Sequence, residues 1–511
     1  MSNKDERHSD LEDRLRRLNE IGVALSSIQN DLTELLERIL LQARHFTGAE
    51  AGTLYLVKDD VLTFEIAQND KLKISLGGRH GTIDIPPVPV NRDSVSGYVA
   101  MTGMALNIPD VYAESEQSFE GPKNYDRMTG YRTQSMLVVP MRDHEEQVTG
   151  VLQLLNALDS DGQTHPFSKE NESLIESLAS QAAVAINRVR LIGDTEALFE
   201  AFVQVMATAI DERSPYTGGH IRRVADMTMV VAQAVNDCAE GPLADIHFNR
   251  DEMEELRIAA WMHDIGKITT PEWIVDKPTK LTTIFDRIET LSLRFALMQQ
   301  QVERLQERGQ IDSEEARQRL EKLASDLAFL ERANLPGEYM EDADVERLRD
   351  IAQQTYELQG QAHPCITDEE LTNLVIRKGS LTDAERKKIN DHASMSIKML
   401  EQIPFTRKLR RVPEIAGAHH EKLDGSGYPN GLKAESIDLQ SRILALVDIF
   451  ESLSADDRPY RAKPMPRETV LKILKEMVDD DHIDRDVFDL FLREGLAAKL
   501  DELKAQMARE S

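Results

Sequence analysis

The chain has 511 residues and carries 61 basic against 90 acidic side chains, which gives a formal net charge of −29. A single hydrophobic core stops growing beyond about 250–300 residues, so the length predicts several domains. The negative charge opposes binding to DNA or to anionic membranes through the overall field. Cys238 and Cys365 are far apart and outside any CxxC spacing, which disfavours a disulfide framework and a thiolate metal site.

The sequence shows no segment that we expect to enter a membrane. No apolar run approaches the ~20 residues needed to span a bilayer. The polar residues at the start of the chain also lack the apolar core of a signal peptide. We therefore predict a cytoplasmic protein without a membrane or DNA partner.

The N-terminal part combines helical and strand-like spacing. Residues 10–47 repeat leucine and isoleucine every three or four positions, which predicts helix, including a lead-in helix over 1–20. From Glu50 onward apolar and polar residues alternate, as in strands. A second helical stripe lies within 169–192 and consists of Leu174, Leu178, Ala182, Ala185 and Val189. Residues 21–192 are therefore predicted to form an α+β domain with a connecting helix.

This segment resembles a GAF domain, a small-ligand or signal-sensing module. The resemblance rests on the order of short motifs at residues 52–56, 96–100, 106–110, 135–141 and 150–156. It implies a regulatory domain whose ligand is unknown. Cyclic-nucleotide-binding members carry Asn-Lys and Asp-Glu signatures, whereas this chain has Asn156-Ala157 and Asn171-Glu172, so we do not predict cyclic GMP binding. A GAF domain that serves only to dimerise the chain is the alternative.

Strand patterns nearly vanish after Ile192. Six segments separated by proline and glycine suit helices instead, namely 197–213, 220–238, 252–263, 384–400, 412–420 and 441–454. The first of them continues from the connecting helix through Asp194 to Phe199, so a rigid helix is expected to pass a change at the N-terminal domain onward. Residues 193–511 are predicted to form an all-α domain.

Residues 281–378 interrupt this domain. A four-three repeat of apolar residues runs from Ile284 to Leu305, and a second runs from Ala316 to Leu330. Two such repeats joined by a short turn predict an antiparallel helical hairpin. A self-packed structural arm is favoured over an element that docks a partner or clasps a dimer.

Seven side chains in the all-α domain have the chemistry of metal ligands: His220, His263, Asp264, His392, His419, His420 and Asp448. A binuclear hydrolase needs several neutral imidazoles, a carboxylate that bridges the cations, and open positions for water and substrate. One histidine on a helix is more often a core or surface residue. An ordered set with an adjacent histidine pair and a His-Asp pair instead predicts a metal site.

These residues lie in motifs that resemble those of the HD-GYP family, hydrolases of cyclic di-GMP within the HD superfamily. In chain order the motifs occupy residues 216–220, 263–267, 392, 419–421, 424–429, 448 and 457–461. The insertion separates the second motif from the third. The resemblance implies an all-α HD phosphohydrolase fold with a binuclear metal centre.

The resemblance implies two metal sites that share Asp264. The remaining ligands of the first site are His220, His263 and Asp448, and those of the second are His392, His419 and His420. Some relatives bind a third ion through a glutamate four residues before the first histidine, but Tyr216 occupies that position here. We therefore expect two divalent transition-metal ions, with iron or manganese favoured.

The resemblance also implies roles for the surrounding residues. Asp264 is predicted to orient the reacting water between the metal ions, and Lys267 to place a positive charge near a phosphate oxygen. The predicted substrate-binding residues are Lys267, Tyr428, Arg458 and Arg461. Glu421 and Asp424 are expected to orient imidazoles. In relatives the loop that contains Tyr428 also contacts diguanylate cyclase domains, which makes such domains candidate partners.

The two resemblances together imply a metal-dependent phosphodiesterase that hydrolyses cyclic di-GMP to pGpG or GMP under the control of a GAF domain. Two alternatives stay open. One is an HD hydrolase of another cyclic dinucleotide or of a guanosine polyphosphate, and the other is a low-turnover receptor for a nucleotide or a partner. Apolar stripes on the lead-in and connecting helices predict a homodimer.

Overall fold

The structure, a computed structural model, describes residues 31–81, 83–113, 119–213, 219–337, 339–455 and 465–510. The predicted lead-in helix over 1–20 lies outside these residues. The chain divides into two compact units, Met1–Phe199 and Glu200–Ser511. Across the described ranges, no helix is both long enough and apolar enough to cross a membrane.

The first unit is an antiparallel sheet with helices. Its strands are β1 (Ala49–Lys58), β2 (Val61–Asn69), β3 (Ile74–Gly77), β4 (Val88–Pro89), β5 (Leu106–Ile108), β6 (Met136–Arg142), β7 (Val148–Leu158) and β8 (Thr164–His165). The helices are α1 (Leu32–Thr47), α2 (Val95–Thr102), α3 (Glu120–Thr129) and α4 (Lys169–Asp211), which continues past the end of the unit. The strand order is β3-β2-β1-β7-β6-β5, with β4 paired to β2 and β8 paired to β7.

Side-chain alternation gives this sheet two apolar faces. In β1, Leu54 and Leu56 belong to a core that also contains residues of α1 and α4. Ala51 and Tyr55 from the same strand belong to a second core, which includes Val99 of α2. Successive residues of a strand point to opposite faces, so one strand supplies both cores. The predicted α+β fold of the N-terminal domain is confirmed.

The boundaries of α1 follow from local chemistry. The Asp31 side chain accepts a hydrogen bond from the Glu34 backbone N–H at 3.1 Å, which satisfies a donor that the first helical turn leaves unpaired. Gly48 ends the helix with a φ of 65°, a left-handed conformation that glycine adopts without strain. The chain then enters β1 directly.

α4 is one helix of 43 residues. Leu178 and Ala182, from the stripe predicted to contact a second chain, are fully buried in the core of the first unit, and Ala185 and Val189 pack against that core. The stripe is therefore occupied within its own domain. This corrects the surface expected for a dimer, because the apolar spacing reflected intramolecular packing.

The second unit is almost entirely helical. After α4 the helices are α5 (His220–Asn236), α6 (Arg250–Met262), α7 (Glu272–Val275), α8 (Ile288–Glu307), α9 (Ser313–Asn334), α10 (Asp342–Ala352), α11 (Asp368–Leu374), α12 (Asp383–Leu400), α13 (Val412–Gly417), α14 (Leu439–Ser454), α15 (Arg467–Asp479), α16 (Arg485–Arg493) and α17 (Leu496–Glu510). α14 is strongly apolar and buries Leu444, Leu446, Val447 and Phe450. The predicted helical domain is confirmed.

A short hairpin is the exception to the helical prediction. β9 (Thr355–Leu358) and β10 (Gln361–Pro364) form an antiparallel pair. Gln359 and Gly360 join them with φ values of 56° and 78°, the conformation of a tight hairpin turn. Each strand has four residues, too few for an alternating pattern to stand out in the sequence.

The insertion contains the predicted helical hairpin. α8 buries Leu291 and Phe295 in a core that includes Leu330 of α9, and Leu348 of α10 joins the same core. Ile284, the first member of the predicted repeat, precedes α8 and is 95% exposed. The insertion thus has an apolar core of its own, which supports the interpretation as a self-packed arm.

The two ends of the insertion are held together at its base. The Lys277 ammonium donates to the Asn373 side-chain oxygen at 2.8 Å and to the Glu385 carboxylate at 2.8 Å. Ser380 donates its hydroxyl to the Lys277 carbonyl at 2.8 Å. The ammonium of Lys280 lies nearby and donates to the Leu374 carbonyl at 3.2 Å.

Replacing Lys280 by methionine is expected to reveal a pH-dependent contribution to stability. Burial lowers the pKa of Lys280 to about 8, although Asp344 acts in the opposite direction. Between pH 8 and the usual lysine pKa of about 10.4, the unfolded chain binds more protons than the folded one, so wild-type stability rises with pH. The melting temperature of the wild type minus that of Lys280→Met should therefore increase by a few degrees from pH 8 to pH 10.

Differential scanning fluorimetry of both proteins across this pH range measures the gain. Lys322→Met, at an exposed position of α9, controls for the loss of a lysine charge. A difference between wild type and Lys280→Met that stays constant from pH 8 to pH 10 would contradict the depressed pKa.

Candidate metal centre

The structure brings the seven predicted ligand residues to one place in the second unit. His220 is the first residue of α5, His263 directly follows α6, and Asp264 precedes a 3₁₀ turn at Ile265–Thr269. The other four come from α12, α14 and the turn after α13: His392, Asp448, His419 and His420. α13 ends at Gly417, so the histidine pair lies after the helix and not within it as predicted.

The potential ligand atoms form overlapping groups. Within each group the atoms lie within 4.8 Å of one another, and the groups are His392-His419-His420, His220-His263-Asp448 and His263-Asp264-His419. Six of the seven side chains are buried, and His420 is partly buried. Their function as ligands stays a prediction, but the predicted residues do form one cluster.

Four buried atoms of this cluster make no hydrogen bond to any described residue. They are the Nε2 atoms of His263, His392 and His419, and Oδ1 of Asp264. A buried polar atom without a partner costs free energy, on the order of 1–3 kcal/mol. Four such atoms in one cluster fit a bound cation, because a cation satisfies imidazole and carboxylate lone pairs together.

The same three imidazoles are fixed in one tautomer by the backbone. In each, Nδ1 lies 2.6–2.7 Å from the carbonyl three residues earlier, in the pairs His263–Ala260, His392–Ile389 and His419–Ala416. A carbonyl only accepts, so Nδ1 carries the proton and donates it. The neutral ring then presents the lone pair of Nε2 to the cluster, as a metal ligand requires.

His220 is oriented by a carboxylate that the sequence analysis missed. Its Nδ1 lies 2.5 Å from Oε2 of Glu451, and Arg223 donates its Nε to Oε1 of Glu451 at 2.7 Å. Glu451 is fully buried, three residues after Asp448 on α14. Residues three apart share a helix face, so the position relative to Asp448 was the available signal.

Asp264 lies between two sets of imidazoles. Its Oδ1 is 3.3 Å from Nε2 of His392, and its Oδ2 is 3.3 Å from Nε2 of His263 and 3.6 Å from Nε2 of His220. Lys267 places its ammonium 2.5 Å from Oδ2. One carboxylate thus faces both halves of the cluster, which is the arrangement of a bridging ligand.

Charges and burial keep Asp264 ionised and two of the histidines neutral. Burial disfavours a charged Asp264, but opposing interactions, of which that with the Lys267 ammonium is the largest, hold the pKa of this carboxyl well below its usual value. Burial, reinforced by neighbouring imidazoles, holds the pKa of His419 well below its usual value, and burial lowers the pKa of His420 to about 3. Both histidines are therefore neutral at pH 7, the form that binds metal.

Ser396 fixes the segment that carries His263 and Asp264. Its hydroxyl donates to the His263 carbonyl at 2.7 Å and accepts from the Gly266 N–H at 2.9 Å. A Cβ atom on Gly266 would lie 2.0 Å from the His392 carbonyl oxygen, so this position requires glycine. Ser396 lies four residues after His392, and α12 therefore positions ligands of both halves. The sequence analysis did not identify this serine.

The loop after the histidine pair is held by Glu421. Its carboxylate accepts the N–H groups of Asn430 at 2.7 Å and Leu432 at 2.8 Å. Asp424 accepts the Ser426 N–H at 2.8 Å. These carboxylates organise backbone and do not orient the imidazoles of the cluster, which corrects the expectation. Backbone donors in an irregular loop need acceptors, and these two carboxylates fill that need.

Tyr428 lies where this loop reaches the cluster. Its ring centroid is 4.8 Å from that of His420, and its N–H donates to the His420 carbonyl at 3.2 Å. Beside it is an open groove of about 430 Å³, which α12 lines with Arg386, Lys387 and Asn390 among others. The predicted substrate contacts Arg458 and Arg461, and Tyr216, lie outside the described residues.

The first unit contains a separate cavity of about 450 Å³. Among its described lining residues are the aromatic rings of Tyr55, Phe64 and Tyr125, together with polar amides and hydroxyls but no charged side chain. Nδ2 of Asn69 is buried at this cavity and makes no hydrogen bond to the described part of the chain. The cavity therefore suits an uncharged, largely apolar molecule that offers a hydrogen-bond acceptor.

Comparison with known families agrees with both units. Residues 31–186 match the GAF domain family, and residues 217–346 and 366–487 match two HD domain families. The chain therefore contains a GAF domain followed by sequence of the HD domain type. The predicted order of these two domain types is confirmed.

Curated relatives from Vibrio cholerae match parts of the chain. The protein named 3′3′-cGAMP-specific phosphodiesterase 3 is 42% identical over 107 residues, which cover 21% of this chain and 22% of that protein. 3′3′-cGAMP-specific phosphodiesterase 1 is 40% identical over 117 residues, 23% of this chain and 26% of that protein. A probable cyclic di-GMP phosphodiesterase is 36% identical over 127 residues, 24% and 28% respectively. Each match thus spans about a quarter of the relative.

Replacing Glu451 by glutamine is expected to weaken metal binding. The amide retains an acceptor for His220 but removes the negative charge that orients the ring and makes it more basic. Loss of such a supporting group lowers metal affinity by about 10–100-fold. A competition titration with a chelator measures this change for Mn²⁺. Glu401→Gln, at an exposed position just after α12, should bind Mn²⁺ like the wild type. Equal affinities for Glu451→Gln and the wild type would contradict the assignment.

Proposed function

We propose that this protein is a metal-dependent phosphodiesterase of cyclic dinucleotides, regulated through its GAF domain. One observation carries the proposal: a single buried carboxylate, Asp264, lies between two imidazole sets. The Nε2 atoms of His263, His392 and His419 in these sets have no hydrogen-bond partner in the described structure. The Vibrio cholerae relatives, two named as 3′3′-cGAMP-specific phosphodiesterases and one as a probable cyclic di-GMP phosphodiesterase, support it.

Two divalent ions would be held on either side of Asp264. The first would be bound by His220, His263 and Asp448, and the second by His392, His419 and His420. Bound ions of this kind supply Lewis-acid stabilisation of phosphoryl oxygens and activation of water. The resemblance to the HD-GYP family favours iron or manganese for both.

Residues of the chain itself would position the substrate. Lys267 is 28% exposed at its side chain and lies against Asp264, so its ammonium can contact a phosphate oxygen at the edge of the cluster. The ring of Tyr428, already packed on His420, offers a surface on which a base can stack. Arg386 and Lys387 line the adjoining groove together with Asp383 and Asp391, so the groove offers charged side chains of both signs without a net positive charge.

Cyclic di-GMP is the proposed substrate, and 3′3′-cGAMP is the second candidate. The two differ in one base, whereas the metal-site residues act on the phosphodiester that both share. The family resemblance favours cyclic di-GMP. Two of the three Vibrio cholerae relatives are named as specific for 3′3′-cGAMP, which favours the second candidate.

Purified protein loaded anaerobically with Fe²⁺ or Mn²⁺ is expected to hydrolyse one or both dinucleotides. Chromatography of the products distinguishes a linear dinucleotide from mononucleotides, and the ratio of kcat/KM values identifies the preferred substrate. Asp264→Asn should reduce turnover to background, because the amide loses the charge that joins the two halves of the cluster.

Asp237→Asn, at an exposed position after α5, should retain full turnover. A folded, metal-loaded wild type that leaves both dinucleotides intact would refute the proposal. Turnover that survives in Asp264→Asn would instead refute the assigned site.

The cavity in the first unit supports regulation by the GAF domain. Its volume lies in the range of small-molecule sites, and its lining offers apolar contacts with a few hydrogen-bonding groups. We infer that occupancy of this cavity changes the activity of the HD domain. The absence of a charged side chain among its described lining residues argues against a phosphorylated ligand.

Filling the cavity is expected to change turnover at the metal site by at least about fivefold, the lower end of the range typical of allosteric coupling. Thr53→Phe places a ring into the cavity from β1, and Thr63→Phe places the same ring on neighbouring β2 at a position that does not line it. Cyclic dinucleotide hydrolysis by the full chain is measured for each. Equal turnover in Thr53→Phe, Thr63→Phe and the wild type would contradict regulation through this cavity.

A further inference from the structure

α4 carries a second apolar stripe, on the face opposite to the one used in its own domain. Its members alternate at spacings of four and three from residue 184 to residue 209: Val184, Arg188, Leu191, Thr195, Leu198, Phe202, Val205 and Ala209. All eight side chains are exposed, and the five large apolar ones are 55–72% exposed. We call this set the α4 seam.

The α4 seam has the register of a coiled coil. Val184, Leu191, Leu198 and Val205 fall at position d of four successive heptads, and the other four members fall at position a. Three to four such heptads are the usual signature of helix pairing. At 1.5 Å per residue the seam is about 38 Å long.

The opposite face of α4 is already occupied. Ile186 is buried in the core of the first unit, and Val203 and Ala207 are buried further along the helix. These residues fall at heptad positions b and f, which point away from a and d. The helix therefore has one face fixed by its own chain and one apolar face in water.

We propose that the α4 seam pairs with the α4 seam of a second copy of this chain, as a parallel two-stranded coiled coil. In that arrangement each seam residue meets its own equivalent, so a stripe of this spacing complements itself. Two seams contribute ten large apolar side chains, each with about 100 Å² in water. Mutual burial removes on the order of 1,000 Å², which is the lower limit for a stable interface.

The charges beside the seam permit this pairing. The chain has a net charge of −29, so two copies repel each other in general. The eight flanking e and g positions nevertheless carry one charged residue, Asp194; the others are Ala185, Asn187, Ile192, Phe199, Ala201, Met206 and Thr208. Repulsion is therefore weak along this line.

The polar members of the seam are compatible with burial. Thr195 donates its hydroxyl to the Leu191 carbonyl at 2.6 Å within the same helix, so it takes no unsatisfied group into an interface. Arg188 lies near one end, where its aliphatic stem can cover apolar surface while the guanidinium stays in water. A polar residue at position a also favours one register over others.

Light scattering of the full chain at about 10 µM tests the proposal. The wild type should have twice the mass of one chain, and Leu198→Glu should have the mass of one chain. The control is Leu293→Glu, which changes an equally exposed leucine on α8 (69% against 72%) and should stay dimeric. Circular dichroism and Mn²⁺ binding establish that each variant is folded.

A monomeric wild type would overturn the proposal. This result is expected if another segment of the same chain covers the α4 seam. A dimeric Leu198→Glu would overturn it too, because the contact would then lie elsewhere. Mild oxidation of Leu198→Cys in a Cys238→Ser background tests the direction. A covalent dimer is expected from parallel, in-register helices, and a dimer that does not cross-link would refute that arrangement.

Discussion

The structure of the second unit depends on a group of buried polar atoms that lack hydrogen-bond partners. Nε2 of His263, Nε2 of His392 and Oδ1 of Asp264 lie in one cluster without protein hydrogen bonds, although each ring is held at its other nitrogen by a backbone carbonyl. The helix that precedes or carries each of these two rings supplies the carbonyl three residues earlier, so the same helix positions the ring and fixes its tautomer. The arrangement is stable only with a cation or at the expense of packing energy gained elsewhere.

The site therefore depends on anchors that lie behind the visible ligands. Glu451 joins His220 to Arg223, and Ser396 joins the His263 segment to α12. Both side chains are fully buried. Their effect is geometric, because a ligand shifted by 1 Å no longer shares an ion with its neighbours.

The predicted ligands could be found from the sequence because they stand in recognisable pairs, such as His263-Asp264 and His419-His420. Ser396 and Glu451 have no such signature, since a serine or glutamate inside a helix has many ordinary explanations. The α+β and all-α fold classes followed from spacing, and the GAF and HD domain types from the resemblance of ordered motifs. The sequence did not show which face of α4 packs against its own domain, because this helix is apolar on two sides. The structure shows that the face with Leu178 does so.

The insertion bears on how this fold is acquired and modified. It separates Asp264 from His392 along the chain, yet Lys277 and Ser380 lie together at its base and its helices share their own core. Because its two ends lie side by side, the insertion leaves and re-enters the HD domain at adjacent positions. Its length and content can thus change between related proteins without moving a ligand, and the same position should accept a foreign domain in a fusion.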